Sequence, residues 1–382
     1  FNRPVGAWDT SQVTNMTDMF RGATDFNQIV GFWETDQVTT MAGMFMGATA
    51  FNQAVAWDTS QVTAMQDMFW GATAFNQAVA WDTSQVTDMQ GMFWGATAFN
   101  QPVAWDTSQV TSMASMFRDA TAFNRAVGEW DTDQVTAMAH MFRGATAFNQ
   151  AVGEWDTGQV TTMAHMFRDA AAFNQAVGFW DTGQVTDMSY MFRDAAAFNN
   201  FVGGWDTSQV TTMAHMFEYA LVFNQPVVWD TSQVTAMQYM FSFARVFDQP
   251  VVWNTSQVTD MQYMFRDARA FNQPVVWDTS QVTTMASMFA DAAAFNQQVV
   301  WDTSQVTTMA HMFEYALVFN RPVAWDTSLV TSMAHMFEYA LVFNQPVVWN
   351  TSLVTSMAHM FRNATAFNQP VAWDTSQVTT MA

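Results

Sequence analysis

A tryptophan returns every 24 or 25 residues along this chain, from Trp8 through Trp33, Trp57 and Trp81 to Trp373. Such units are too short to bury an apolar face alone, so neighbouring units must stack. One unit, Phe271 to Ala294, reads F-N-Q-P-V-V-W-D-T-S-Q-V-T-T-M-A-S-M-F-A-D-A-A-A. Fifteen full units and a sixteenth cut short at Ala382 predict one continuous solenoid over residues 1–382. The 25-residue units carry one extra residue before Trp, beside Gly6, Gly31, Gly128, Gly153, Gly178 or Gly203. An insertion at one fixed place reads as a bulge or loop that spares the core. The chain shows neither an initiator Met nor polar capping units, so a segment of a longer array is expected.

Fixed positions predict local structure. In Pro274 to Thr279, Val275 and Trp277 keep their type in every unit while the residue between them varies. Period two with a tolerant alternate site predicts a strand with Val and Trp facing in. Val282, Met285, Met288, Phe289 and Ala292 recur at spacings of three and four, which predicts a short helical or 3₁₀ segment with an apolar stripe. Asp278 to Gln281 turns the corner between them. The expected fold is an α/β repeat solenoid with one short parallel strand and one short helical segment per coil. Asn272 and its equivalents, with Asp248 as the exception, are candidates for an inter-coil amide ladder, and Thr279 and Thr283 for a similar role.

The pattern W-D-T-S-x-V-T-x-M-x-x-M-F-x-x-A-x-x-F-N-Q, as in Trp277 to Gln297, resembles the Trp/Met/Phe-rich branch of the BspA-like leucine-rich-repeat surface proteins. The resemblance spans the chain. It implies a leucine-rich-repeat-like solenoid at the cell surface or outside the cell, with no catalytic residue to carry over.

Composition narrows the function classes. The formal charge is -21, and all twelve basic residues are Arg. An acidic chain without basic blocks neutralises phosphates poorly, which argues against nucleic acid and anionic membrane surfaces. No apolar run approaches the ~20 residues of a membrane span. Without Cys there is no disulfide, thiolate metal site or thiol nucleophile.

Candidate chemistry is repeated rather than local. The M-x-x-M pairs, such as Met309 and Met312, resemble thioether sites, but a polarisable core filler accounts for them. The Asp after Trp, as in Asp58, Asp82 and Asp106, reads as a turn cap, with loosely held Ca²⁺ as the alternative. No other metal or cofactor is expected. His140, His165, His215, His311, His335 and His359 share one repeat site. It also accepts Tyr, Ser, Asp and Gly and has no carboxylate repeating with it, so it reads as exposed surface. A catalytic site should break the repeat with polar residues, and none does, so no enzyme is expected. The exceptions are apolar: Met46, Trp70 and Trp94 at one site, and Tyr219, Phe243, Tyr315 and Tyr339 at the adjacent one. Contiguous apolar residues at otherwise polar sites mark a contact surface. The reading is a non-catalytic, extracellular repeat protein that self-associates into a fibre or oligomer; the alternative is an adhesin that binds a protein or glycan.

Overall fold

The computed structural model describes residues 1–381. It comprises two compact units, Phe1–Val185 with Asp194–Asn200, and Thr186–Arg193 with Phe201–Ala382. Within each unit the coils stack in parallel register. Bridges between adjacent coils fall on the residue before the first Met of each M-x-x-M pair, from Asn15 to Thr162 in the first unit and from Asp187 to Thr380 in the second.

The repeat is as expected, but its local structure differs. Among the described residues there is no helix, and the strands are reduced to single bridges. The segment expected to be helical is a run of tight turns. Met116 N–H donates to Met113 O at 3.2 Å and Ala120 N–H to Phe117 O at 3.1 Å. The third residues of these turns, Ser115 and Asp119, have φ of 57° and 56°. A positive φ at that position defines a type II turn. Spacings of three and four fit consecutive turns as well as a helix.

The turns prevail because they leave backbone groups free to join coils. Met113, Ser115, Phe117 and Asp119 donate to Ala137, Ala139, Met141 and Arg143 of the next coil at 2.6–3.0 Å. The intervening Met116, Arg118 and Ala120 donate within their own coil. A helix would consume every interior N–H internally. Here alternate N–H groups from Met113 to Asp119 tie neighbours together. We call this side of the coil the ladder wall.

The parallel ladder lies here rather than on the Val–Trp side. On that side the predicted alternation is present: Val275 and Trp277 are buried and Val276 is 89% exposed. Among the described residues no backbone ladder joins coils there. Instead Trp277 Nε1–H donates to Val251 O of the preceding coil at 2.9 Å. The inserted residues form β-turns outside the core, as in Val152 to Trp155, closed by Trp155 N–H to Val152 O at 3.4 Å. A Cβ on Gly153 would lie 2.7 Å from Ala176 O, which is why glycine stands there.

The predicted polar ladders are present. Asn76 Oδ1 accepts Asn100 N–H at 2.9 Å and Gln101 Nε2–H at 3.1 Å. Asp248 fills the same role, accepting Asn272 N–H at 2.9 Å. Thr279 Oγ1–H reaches Asp302 O at 2.7 Å, and Thr283 Oγ1–H reaches Thr259 O at 3.2 Å. Met and Phe fill the interior between the walls, with Met113, Met116, Phe117 and Phe123 fully buried.

Ring spacing between equivalent residues reveals curvature within each unit. In the first it is 4.4 Å for His140–His165 on the ladder wall, 5.7 Å for Phe117–Phe142 and 6.4 Å for Trp130–Trp155. In the second it is 4.4 Å for Tyr239–Tyr263, 5.7 Å for Phe241–Phe265 and 6.5 Å for Trp229–Trp253. Backbone hydrogen bonds draw coils together on one wall, while bulky indoles hold them apart on the other. The ladder wall is the concave side.

Candidate recognition face

On the ladder wall three side chains per coil point outward between the inward Met and Phe: the residue before the second Met, the residue after Phe, and the one after that. The type II turns expose them: the first and third sit at left-handed turn positions, as at Ser115 and Asp119, and the second lies between them on the same side. These positions vary along the array, although one set, His-Glu-Tyr, recurs at His215, His311 and His335.

In the first unit Trp70 and Trp94 stack at 4.3 Å, and the Arg118 guanidinium lies 4.1 Å over Trp94. Trp94 Nε1–H donates to Asp119 Oδ2 at 3.3 Å. Met46 precedes the pair in the same column and Arg143 and Arg168 continue it. Burial, reinforced by Arg118, Arg143 and Arg168, lowers His140 to about 4. Burial, then His140 and the same arginines, lowers His165 to about 3.

In the second unit Tyr190, His215, Tyr239 and Tyr263 form one column of stacked rings at 4.2–4.5 Å. Beside it, Glu218 is buried between Arg193 Nε at 2.7 Å and His215 Nδ1 at 2.8 Å. Tyr219 stacks on Phe243, and Tyr315 on Tyr339, both at 4.4 Å. Burial pushes the Tyr239 phenol up to about 12. Asp267 is buried between Arg245 at 2.7 Å and Arg269 at 2.6 Å.

The seven interaction candidates thus lie on one kind of surface, in two adjacent columns. They are less exposed than a free apolar stripe would be. Met46, Trp70, Trp94, Tyr219, Phe243 and Tyr339 are half-buried, and Tyr315 is 37% exposed, because their rings cover one another. The histidine site is also half-buried rather than open surface. A carboxylate does accompany it: Glu218, Glu314 and Glu338 each hold the Nδ1 of the histidine three residues before. Turn geometry brings these positions together, a pairing that spacing read only for its apolar stripe did not reveal.

Asp58, Asp82 and Asp106 stand elsewhere, at the corner after Trp. Their Oδ1 atoms accept the N–H of Ser60, Ser84 and Ser108, each at 3.0 Å. The Ser60 bonds hold Asp58 below the ordinary carboxylate range, and the Ser108 bonds do the same for Asp106. This is the turn-capping arrangement, with the carboxylates open to solvent.

One exposed row went unremarked in the sequence reading. Val228, Val252, Val276, Val300 and Val348 point outward between the buried Val and Trp, at 75–90% exposure. Their signal was available: once Val and Trp face in, the residue between them must face out.

These features define, in each unit, a tandem-repeat scaffold of stacked, turn-built coils with a variable ladder wall. The chain belongs to the family described as "Mycoplasma protein of unknown function, DUF285", whose profile matches residues 1–80, 78–178, 149–252, 227–300 and 299–382. Solved structures that the chain matches include two bacterial leucine-rich-repeat proteins. A leucine-rich repeat protein from Eubacterium ventriosum matches at 14% identity and TM-score 0.42, over 80% of this chain and 79% of the other. A leucine-rich cell surface protein from Faecalibacterium prausnitzii matches at 12% identity and TM-score 0.41, over 87% and 82%. No curated protein matches the chain. Among the described residues no helix is long and apolar enough to cross a membrane.

Proposed function

We propose that the chain is a non-catalytic recognition scaffold of the cell surface, whose concave ladder wall contacts a protein or glycan. One observation carries the reading. In each unit the outward side chains of the ladder wall bring aromatic, basic and acidic groups together in stacked columns, while the interior repeats almost unchanged. Solenoid curvature of this kind creates an extended concave binding surface. The stacked Trp70–Trp94 pair with Arg118 offers rigid aromatic area beside a cation, the residue types that dominate interface energetics. A surface location accords with the resemblance to the BspA-like repeats.

A second reading is self-association, supported by the exposed valine row of the second unit. Two sets of substitutions separate them. One set places Ser at Trp70 and Trp94, the other at Val252, Val276 and Val300. Both are tested by biolayer interferometry on immobilised glycans, extracellular-matrix proteins and the chain itself. Loss of binding to a foreign ligand with the first set alone supports recognition. Binding to the chain itself that is lost with the second set, and no foreign ligand bound, would replace that reading with assembly.

A further inference from the structure

The geometry assigns a transition-metal site to His311, Glu314 and His335 on the ladder wall of the second unit. This inference is independent of which partner the wall recognises. His311, His335 and His359 occupy one column in successive coils, and Glu314 and Glu338 the adjacent column. The ligand atoms of His311, Glu314 and His335 all lie within 4.8 Å of one another. The His311 and His335 rings are stacked 4.4 Å apart at 7°.

Two imidazoles and a carboxylate with a position left for water suit Zn²⁺, and the nitrogen donors also suit Cu²⁺. Bonds of about 2.0–2.1 Å place ligand atoms roughly 3.4 Å apart around a tetrahedral ion. Ligand atoms within 4.8 Å of one another therefore need to close by at most about 1.4 Å when the site loads. His311, 38% exposed, is the side chain best able to move. His335 is the fixed member. Its Nδ1 is held by Glu338, which is 5% exposed and anchored by Arg362 Nη1 at 3.3 Å. That bond leaves Nε2 to the metal, the carboxylate–histidine arrangement that orients metal-bound imidazoles.

The chain contains its own control. His215 pairs with Glu218 in the same way, but its ring neighbours are Tyr190 and Tyr239, so no second imidazole is at hand. If the His–Glu pairs serve only to fix the wall, all three are equivalent. If His311 and His335 form a metal site, they stand apart.

The test is titration of the full chain with Zn²⁺ against a chromophoric chelator, with electron paramagnetic resonance of the Cu²⁺-loaded form. We expect one site per chain at micromolar metal and nitrogen hyperfine structure on the copper signal. His335→Asn and Glu314→Gln should each weaken binding by about 10–100-fold, with circular dichroism unchanged, while His215→Asn leaves it intact. His311→Asn, at the most exposed of the three ligands, should weaken binding likewise and reports even if His335→Asn fails to fold. No saturable site at micromolar metal overturns the proposal, as does equal loss in His215→Asn and Glu314→Gln, or undiminished binding in Glu314→Gln.

Discussion

A repeated tryptophan inside the stack does two things, and they can be separated by substitution. Trp277 fills the core and its indole N–H satisfies a backbone carbonyl of the neighbouring coil. Trp277→Ala should cost about 3–5 kcal/mol, as for other buried aromatic truncations. Trp277→Phe keeps a ring but strands the Val251 carbonyl, which should cost about 1–3 kcal/mol. Urea unfolding of the two variants gives the split, and equal stability of Trp277→Phe and wild type would show that the carbonyl finds another partner. The histidines yield a pH prediction. Burial holds His140 at about 4 and His165 at about 3, below their ordinary 6.5. Between those values the unfolded chain binds protons that the folded chain does not, so stability rises with pH there. The melting temperature should fall as pH drops from 6.5 toward 4, and His140→Gln with His165→Gln should flatten that slope. Burial of Val and Trp and the asparagine ladder were legible in the sequence because each recurs at a fixed place, with Asp248 the one substitution in the ladder. The burial of the histidines was not, since it arises from turns that draw successive rings together.

Turns, rather than helices or strands, are the elements of this fold, and glycine marks where they are most constrained. At Gly153 a Cβ would meet the Ala176 carbonyl at 2.7 Å. At Gly47, with φ +70°, the nearest atom to a Cβ is Gly22 Cα at 3.6 Å. Gly153→Ala must therefore push coils apart, costing about 1–3 kcal/mol. Gly47→Ala carries only the left-handed backbone penalty, about 1 kcal/mol. Thermal melting should rank them in that order, and a reversal would mean that the carbonyl side relaxes more easily than the ladder. The left-handed positions were in fact written in the sequence. Gly43, Gly91 and Asp67 occupy one of them, and Gly71, Gly95 and Asn363 another. Gly, Asp and Asn are the residues that tolerate positive φ. Read beside the three-and-four spacing of Met and Phe, they favour turns over a helix. The apolar stripe alone could not decide.

For the molecule as a whole, charge and apolar surface pull in opposite directions. A net charge of -21 keeps chains apart, while the valine row offers a surface for contact. Sedimentation at rising salt should show any association strengthening as repulsion is screened. Val252, Val276 and Val300→Ser should abolish it without lowering the melting temperature, since exposed substitutions shift stability by no more than about 0.5 kcal/mol. The corner aspartates bear on calcium. Their Oδ1 atoms already accept serine N–H groups, so melting curves in millimolar Ca²⁺ and in chelator should coincide. An upward shift with Ca²⁺ would instead reveal a bound ion, by mass action.

Alternation of the ladder-wall amides makes the stack its own gauge. Ser115 and Phe117 protons are held by the next coil, and those of Met116 and Arg118 by their own. Separating two coils exposes the first set alone, whereas unravelling a coil exposes both. Hydrogen exchange resolved by residue would then give two free energies at each level, the cohesion between coils and the integrity of each coil. In most proteins built of stacked units those quantities must be extracted by fitting arrays of different length.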